Sequence, residues 1–164
     1  MDEATSIARR AQRQAQIMRC VNVPMRHLLA LPFATPLSRQ LMLLNVLGRK
    51  TGRLYRQPIS YVPEADDTLL TPGGGRWTRN LRPGQPVVIH LRGKDVEARA
   101  EFIAEPDHLE PVLKKMMEVN PRMTSFMPFM DHDHQLDRTR LQAAVDHGFK
   151  IVRWHLADAT EGRS

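Results

Sequence analysis

From Leu41 onward the chain is a series of short strand-like segments joined by turns, and this pattern restricts the fold more than any other feature. Residues 41–47, LMLLNVL, form a continuous apolar run that is typical of a buried strand. Five further strands are predicted at residues 54–62, 68–71, 149–156 and, as a hairpin, twice within 87–104. Two helices are predicted before the last strand, beginning at Asp107 and near Arg138.

Six strands with few helices, connected mostly by hairpins, predict an α+β protein with a mostly antiparallel sheet. Curling such a sheet into a small split β-barrel removes its exposed edges, so we expect a six-stranded split β-barrel. A further helix is predicted over residues 4–20, which contain no Gly or Pro. We therefore divide the chain into a basic N-terminal helix and connector (1–40) that serves as a lid or arm, the barrel domain (41–156) and a tail (157–164).

Several classes of protein are disfavoured by composition. With 164 residues there is room for one domain of ordinary size. No apolar run approaches the roughly 18 residues that a transmembrane helix needs. The single cysteine, Cys20, rules out an internal disulfide and a cysteine-based metal site. Because Asp2 and Glu3 stand where a signal peptide carries basic residues, we expect a cytoplasmic protein.

The net charge of +6 is concentrated in the first third of the chain. Residues 1–56 contain ten Lys and Arg and two acidic residues, whereas the remaining residues have a net charge of −2. This asymmetry predicts an anionic partner, such as a phosphorylated cofactor, nucleic acid or an anionic membrane surface. Because aromatic residues make up only 5% of the chain and no binding motif is present, nucleic acid is the least favoured of the three.

Two glycine-containing turns with cations follow predicted strands. The first, GRKTGR at residues 48–53, combines backbone amides with Lys and Arg side chains, a combination that binds phosphate or carboxylate. The second, TPGGGRWTRNL at residues 71–81, has three glycines that allow close approach of a ligand, and the flat face of Trp77. The alternative interpretation of the first turn is a solvated hairpin turn. The alternative interpretation of the second is that the tryptophan closes one end of the barrel.

Together, LLNVLGRKTGRLYRQPISYV and GGGRWTRNL resemble the deazaflavin-dependent nitroreductase family, whose members are small split-barrel proteins. The resemblance covers residues 41–103. It implies that coenzyme F420 binds in a groove of the barrel, with its phosphate and acidic tail on the basic turn and its ring beside the glycine and tryptophan segment. FMN is the alternative cofactor. The implied cofactor-binding residues are Arg49, Lys50, Thr51, Gly52, Arg56, Pro58, Gly73, Gly74, Gly75, Arg76, Trp77 and Asn80.

The chain departs from this family in three places, one of which is a shorter loop before Trp77. Members often carry an arginine three residues before the proline that corresponds to Pro58, whereas this chain has Tyr55 there and Arg56 one residue later. A shift of one residue in a strand turns a side chain to the other face. In addition, the tyrosines that follow the barrel in the nitroreductases are replaced by NPRMTSFMPFM.

The resemblance implies an oxidoreductase that transfers a hydride from reduced F420 to a hydrophobic or electron-poor acceptor such as a quinone. A non-catalytic carrier of a lipid or other hydrophobic ligand is the alternative function, as is an FMN-dependent reductase. No catalytic residue is assigned, since Tyr55 and Tyr61 are both expected to be packing residues. Apolar side chains that either line an acceptor pocket or pack in the core are Met123, Phe126, Met127, Phe129 and Met130.

The remaining candidates are assigned no chemistry. Residues 131–134, DHDH, place two imidazoles beside two carboxylates, but no distant third ligand is specified, so no metal is predicted. The arginines of the N-terminal arm leave three uses open: a solvated helix, a weak peripheral contact with the inner face of the membrane, and a lid over the cofactor groove. A homodimer through the apolar connector 23–37 is also left open.

Overall fold

The computed structural model describes residues 24–32, 39–127, 129–130, 133 and 135–157. The predicted N-terminal helix over 4–20 and residues 158–164 of the tail lie outside them. The described residues form seven strands: β1 (Leu41–Leu47), β2 (Leu54–Ser60), β3 (Val62–Ala65), β4 (Thr68–Gly73), β5 (Pro86–Leu91), β6 (Lys94–Ile103) and β7 (Lys150–Leu156). The helices that both begin and end within the described residues are α1 (Pro106–Val119), α2 (Arg138–Asp146) and the 3₁₀ helices Thr78–Asn80 and Pro121–Phe126.

All seven strands belong to one antiparallel sheet with the order β2-β1-β5-β6-β7-β4-β3. The predicted α+β fold is confirmed, but there are seven strands rather than six. The predicted strand over 54–62 is divided at Tyr61, whose N–H donates to the carbonyl oxygen of Gln40. Because only this residue separates β2 from β3, which lie at opposite edges of the sheet, the sheet must curl until its two edges approach each other.

The inner face of the curled sheet carries the main hydrophobic core. Met42, Leu44 and Val46 of β1 are buried there, in alternation with the outer-face residues of the same strand. Trp154 of β7 is fully buried in this core, and its indole N–H donates to the hydroxyl oxygen of Thr71 at 3.1 Å. The bond satisfies a polar group that would otherwise be costly to bury.

A second core fills the space between the outer face of the sheet and the helices. Helix α1 buries Leu109, Leu113 and Met116, whose spacing places them on one side of the helix. These side chains pack with Leu141 of α2 and Ile151 of β7. The predicted pair of helices before the last strand is thereby confirmed, and the helices cover the β6-β7-β4 part of the sheet.

The described N-terminal residues cover another part of the outer face. Residues 24–29 are helical, and Leu29 is buried. Beyond them, the carbonyl oxygen of Leu31 lies 3.0 Å from Nε2 of His90 on β5. His90 pairs with Leu43 across the sheet, and directly opposed residues share a face. The segment 24–32 therefore lies on the outer face beside β1 and β5.

Candidate cofactor site

The basic turn, residues 48–53, closes the β1–β2 hairpin through two short backbone bonds. The N–H of Gly48 donates to Arg53 and the N–H of Gly52 donates to Gly48, each at 2.8 Å. Gly52 has φ of +63°, a conformation that is strained for other residues. At Gly48 an added Cβ would lie 2.5 Å from the ring of Tyr55. The backbone conformation therefore favours glycine at position 52, and a side chain at Gly48 would have to displace Tyr55 and Thr51.

The cations of this hairpin are available to an anion. Lys50, Arg53 and Arg56 are exposed, and none of them forms an ion pair with a carboxylate among the described residues. The hydroxyl of Thr51 is already used within the hairpin, since it accepts from the N–H of Arg53 at 3.3 Å. An anionic group bound here would meet cations that need not first break another ion pair.

Arg49 joins the two predicted motifs. Its backbone N–H donates to Oδ1 of Asn80 at 3.1 Å, and its guanidinium Nη1 donates to the carbonyl oxygen of Arg79 at 3.4 Å. Asn80 ends the 3₁₀ helix Thr78–Asn80, which is held in place because the hydroxyl of Thr78 donates to the carbonyl of Gly75 at 2.7 Å. The basic turn and the glycine and tryptophan segment thus form one continuous surface.

Two residues of the triple glycine, Gly73 and Gly74, pack closely against other parts of the chain. An added Cβ at Gly74, where φ is +119°, would lie 2.8 Å from the carbonyl oxygen of Gly148, and one at Gly73 would lie 2.8 Å from the methyl group of Thr78. Gly75 is more open, with the Trp77 ring as its nearest neighbour at 3.6 Å. Close packing within the chain therefore explains two of the three glycines.

Trp77 is held by a second tryptophan. Its ring is stacked on that of Trp154, with centroids 6.2 Å apart and planes inclined by 17°. The side chain is partly buried against the inner core. This arrangement matches the alternative interpretation of a tryptophan that closes one end of the barrel, and a contact between Trp77 and a cofactor stays a prediction. The neighbouring Arg76 is exposed.

The strand register decides which way the cations of β2 point. Arg56 lies opposite Asn45, which is also opposite Val88 of β5, so all three share the outer face. Tyr55 lies opposite Val46 and thus on the inner side, where its hydroxyl oxygen is 3.3 Å from the hydroxyl oxygen of Thr51. The one-residue shift from the nitroreductase pattern therefore puts a tyrosine over Gly48 and the arginine on the outer face.

A groove of about 700 Å³ opens beside the basic turn. Its apolar side chains include Leu47 and Leu54, which are 62% and 54% exposed. Of the predicted cofactor-binding residues, Arg49, Gly52 and Asn80 line the groove. Polar lining residues that the sequence analysis missed are Asn45, Arg82, Gln85 and Glu97. No local motif identifies them, because the pairing of β5 with β1 and β6 brings them together.

A smaller cavity of about 300 Å³, here called the methionine cavity, lies at the other end of β1. It is lined by Gln40, Leu41, Ser60, Pro72, Asn120, Arg122, Met123, Met127 and Phe149. Two of the predicted pocket residues, Met123 and Met127, therefore face a cavity. Phe129 and Met130 do not line the cavity. They are buried in the second core, to which Met123 and Met127 also belong, and the rings of Phe129 and Phe149 pack edge to face with their centroids 4.8 Å apart. The side chain of Phe126 lies outside the described residues.

No cluster of three or more His, Cys, Asp or Glu suited to a metal ion occurs among the described residues. Cys20 and positions 131, 132 and 134 of the DHDH sequence lie outside them. Within the described segments, no helix is both long and apolar enough to span a bilayer. Tyr61 is 2% exposed, and its hydroxyl oxygen accepts from Nε of Arg92 at 3.1 Å.

The curled antiparallel sheet defines a split-barrel protein, and its basic turn presents exposed cations beside a groove. The chain belongs to the F420H(2)-dependent quinone reductase family, whose family model matches residues 17–133. This family is one of oxidoreductases that use reduced F420. The family match confirms the predicted resemblance to F420-dependent reductases. At the level of the family, it also confirms the predicted enzyme class and the predicted cofactor.

The chain is similar in part to several solved structures. One is the protein Atu2129, of unknown function, from Agrobacterium tumefaciens C58, with 15% identity, a TM-score of 0.47 and coverage of 74% of this chain and 57% of that one. Another is a putative 5-nitroimidazole antibiotic resistance protein from Bacteroides thetaiotaomicron, with 17% identity, a TM-score of 0.47 and coverage of 74% and 76%. The chain thus spans less than two thirds of the length of Atu2129. No curated protein matches the chain significantly.

Proposed function

We propose that this protein is an F420-dependent oxidoreductase that reduces a small, apolar, electron-poor acceptor such as a quinone. The family supports the cofactor and the reaction class. The observation that carries the proposal within the structure is the hydrogen bond between Arg49 and Asn80, because it joins both sequence motifs in one site.

The anionic part of F420, its phosphate and acidic tail, fits the charge of the hairpin. Lys50, Arg53 and Arg56 bind it through charge-assisted hydrogen bonds, which are stronger than those between neutral groups. Arg49 and Arg82 add positive charge along the adjoining groove. No carboxylate among the described residues competes for the three hairpin cations.

A continuous face leads from these cations to the methionine cavity. Arg56, Pro58 and Ser60 alternate with inward-facing residues along β2 and therefore share the outer face. From Leu54 to Ser60 the strand rises by about 20 Å, which suits an elongated ligand. Ser60 and Pro72 line the cavity. We place the ring-binding residues at this end.

The methionine cavity supplies a place for the acceptor. Its volume of about 300 Å³ is at the lower end of the range for small-molecule sites. Met123, Met127 and Phe149 provide an adaptable apolar wall. Arg122 and Asn120 provide hydrogen-bond donors that orient an acceptor carbonyl oxygen.

The residues of this chain mainly position two molecules and exclude water. Bound reduced F420 supplies a hydride, and a proton from water completes the two-electron reduction of a quinone. No proton-donating side chain is required, which agrees with the absence of an assigned catalytic tyrosine. The described N-terminal segment, residues 24–32, packs on the outer face next to β1 and thus lies beside the site.

Titration with F420, and separately with FMN, tests the cofactor assignment by fluorescence. We expect micromolar binding of F420 that Lys50→Ala weakens about tenfold, the effect of losing one charge-assisted hydrogen bond. Lys115→Ala is the matched control, because Lys115 lies on α1 and donates to the carbonyl of Glu64. Failure of the folded protein to bind F420 contradicts the proposal. A co-purified lipid without hydride transfer supports the carrier instead.

A further inference from the structure

The methionine cavity contains four polar side chains that have no partner within the described part of the chain. Gln40, Ser60, Asn120 and Arg122 line the cavity, and none of these side chains forms a hydrogen bond or an ion pair with another described residue. Ser60 and Asn120 are half-buried, whereas Gln40 and Arg122 are exposed and mark the mouth of the cavity. A few polar groups beside an apolar wall are typical of a pocket that orients a small ligand.

The charge of the cavity is positive. Among the described residues that line it, Arg122 alone carries a charge, and none is an Asp or a Glu. Glu118, the acidic residue nearest to Arg122 along the chain, forms no ion pair with it. A guanidinium has five N–H donors and no acceptor, and its planar shape matches a carboxylate or another group with paired anionic oxygens. The polar end of the cavity therefore favours an anionic group.

Backbone hydrogen bonds on both sides of Arg122 fix its position. The N–H of Asn120 donates to the carbonyl oxygen of Met116 at 2.9 Å at the end of α1, and the N–H of Met123 donates to the carbonyl oxygen of Asn120 at 3.0 Å. Met123 is 5% exposed and packs in the second core. Because the backbone of Arg122 lies between two anchored residues, a ligand need not order this segment when it binds.

The apolar lining determines the other part of the ligand. A cavity of about 300 Å³ is at the lower end of the range for small-molecule sites, which suits a single flat ring system with one substituent. An inorganic anion would leave the apolar wall in contact with water, so a ligand that also covers this wall is favoured. The apolar side chains that form it are Leu41, Pro72, Met123, Met127 and Phe149.

We propose that the methionine cavity prefers acceptors whose apolar ring carries an anionic group, such as a carboxylate or a sulfonate, and that Arg122 determines this preference. The ring lies against Met127 and Phe149, and the guanidinium binds the anionic oxygens at the mouth. Turnover of such an acceptor rests on the proposed function, whereas its binding does not. A hydride from reduced F420 and a proton from water convert a quinone ring to the hydroquinone, and the anionic group takes no part in this step.

Equilibrium binding of two quinones with the same ring tests the preference. The full chain, without F420, is titrated by calorimetry with a naphthoquinone sulfonate and with the neutral methyl naphthoquinone. We expect the sulfonate to bind more tightly at low salt and the preference to shrink as salt is added. Arg122→Gln keeps N–H donors but removes the charge, so the affinity for the sulfonate relative to the neutral quinone should fall about fivefold, the upper end for an exposed ion pair.

Two further variants separate the charge of Arg122 from other effects. Arg122→Lys keeps the charge but not the planar fork of donors, so it should retain part of the preference. Arg99→Gln is the matched control, because the Arg99 side chain is 61% exposed on β6 and does not line the cavity. This variant should keep the relative affinity of the wild type.

Each outcome supports or overturns the proposal. Tighter binding of the neutral quinone by the wild type, or an unchanged relative affinity in Arg122→Gln, overturns it. An equal fall in Arg99→Gln also overturns it, because the net charge of the protein would then explain the preference. A preference that depends on Arg122, in a protein that does not oxidise reduced F420, supports the inference and overturns the proposed function. Oxidation of reduced F420 without any preference in binding overturns the inference alone.

Discussion

The backbone N–H of Arg49 and the side-chain oxygen of Asn80 are joined by a hydrogen bond of 3.1 Å, although 31 residues separate them. This bond connects the hairpin turn of β1 and β2 to the 3₁₀ helix that follows the triple glycine. It therefore holds the cations of one motif at a fixed position relative to the other. The proposed cofactor site depends on this junction.

Replacing Asn80 tests the junction directly. Asn80→Ala removes the acceptor for the Arg49 N–H, and we expect it to lower the free energy of unfolding by about 1 kcal/mol and to weaken F420 binding several-fold. Asn80→Asp retains an acceptor oxygen but adds a negative charge beside the anion site. It should therefore preserve stability in urea denaturation and still weaken F420 binding, most strongly at low salt. Equal F420 affinity in both variants and the wild type would contradict the role of the junction.

Gly52 should be sensitive to its backbone conformation alone. No atom lies within 4 Å of an added Cβ, so the cost of Gly52→Ala comes from φ of +63° and should be about 1 kcal/mol of unfolding free energy. Gly84, with φ of +74° and equally open surroundings, is the matched control. Gly84→Ala should cost a similar free energy in urea denaturation but leave F420 affinity unchanged. Identical effects of the two substitutions on affinity would argue against the basic turn as the anion site.

Thr71 should be required for the stability of the inner core. Thr71→Val keeps the shape of the side chain but leaves the buried indole N–H of Trp154 without its acceptor at 3.1 Å. We expect a loss of about 2 kcal/mol in unfolding free energy, measured by denaturant titration. Thr139→Val, at an exposed position of α2, is the control. Its effect on the free energy of unfolding should be only a few tenths of the loss expected for Thr71→Val. A neutral Thr71→Val would mean that this bond does not stabilise the core.

An ion-pair network of Glu101, Arg153 and His155 on the outer face should make the stability of the protein depend on pH in the acid range. The hydrogen bond from His155 and the charge of Arg153 hold the pKa of Glu101 below its ordinary value. A carboxyl group whose pKa is lowered on folding stabilises the protein above its unfolded-state pKa, and the contribution is lost as the pH falls through the folded-state pKa. We expect Glu101→Gln to lower Tm at pH 7 and to reduce the fall in Tm between pH 5 and about pH 3. If Tm falls by the same amount between pH 5 and about pH 3 in the variant and the wild type, this contribution of Glu101 is excluded.

Local sequence patterns predicted most of the fold because periodicity and turn residues determine where strands and helices lie. They did not predict the division at Tyr61, which depends on a hydrogen bond to Gln40 and on the pairing of β3 with β4. These are contacts of the curled sheet rather than of the segment itself. The strand therefore appeared continuous in the sequence.

The candidate site was predictable to the extent that it is built from contiguous motifs. Arg49 and Asn80 were both identified from their motifs, but the bond between them was not. Arg82 and Gln85 were missed because only the register of β5 against β1 brings them to the groove.

The oxidation of reduced F420 by a soluble quinone, followed in single-turnover and steady-state measurements, tests the central claim most directly. We expect that the protein accelerates this oxidation, that Lys50→Ala lowers the rate about tenfold at limiting cofactor, and that saturating cofactor restores the rate. Lys115→Ala should match the wild type under both conditions. Oxidation no faster than in the absence of protein, by a sample that binds F420, would contradict the assignment as a reductase.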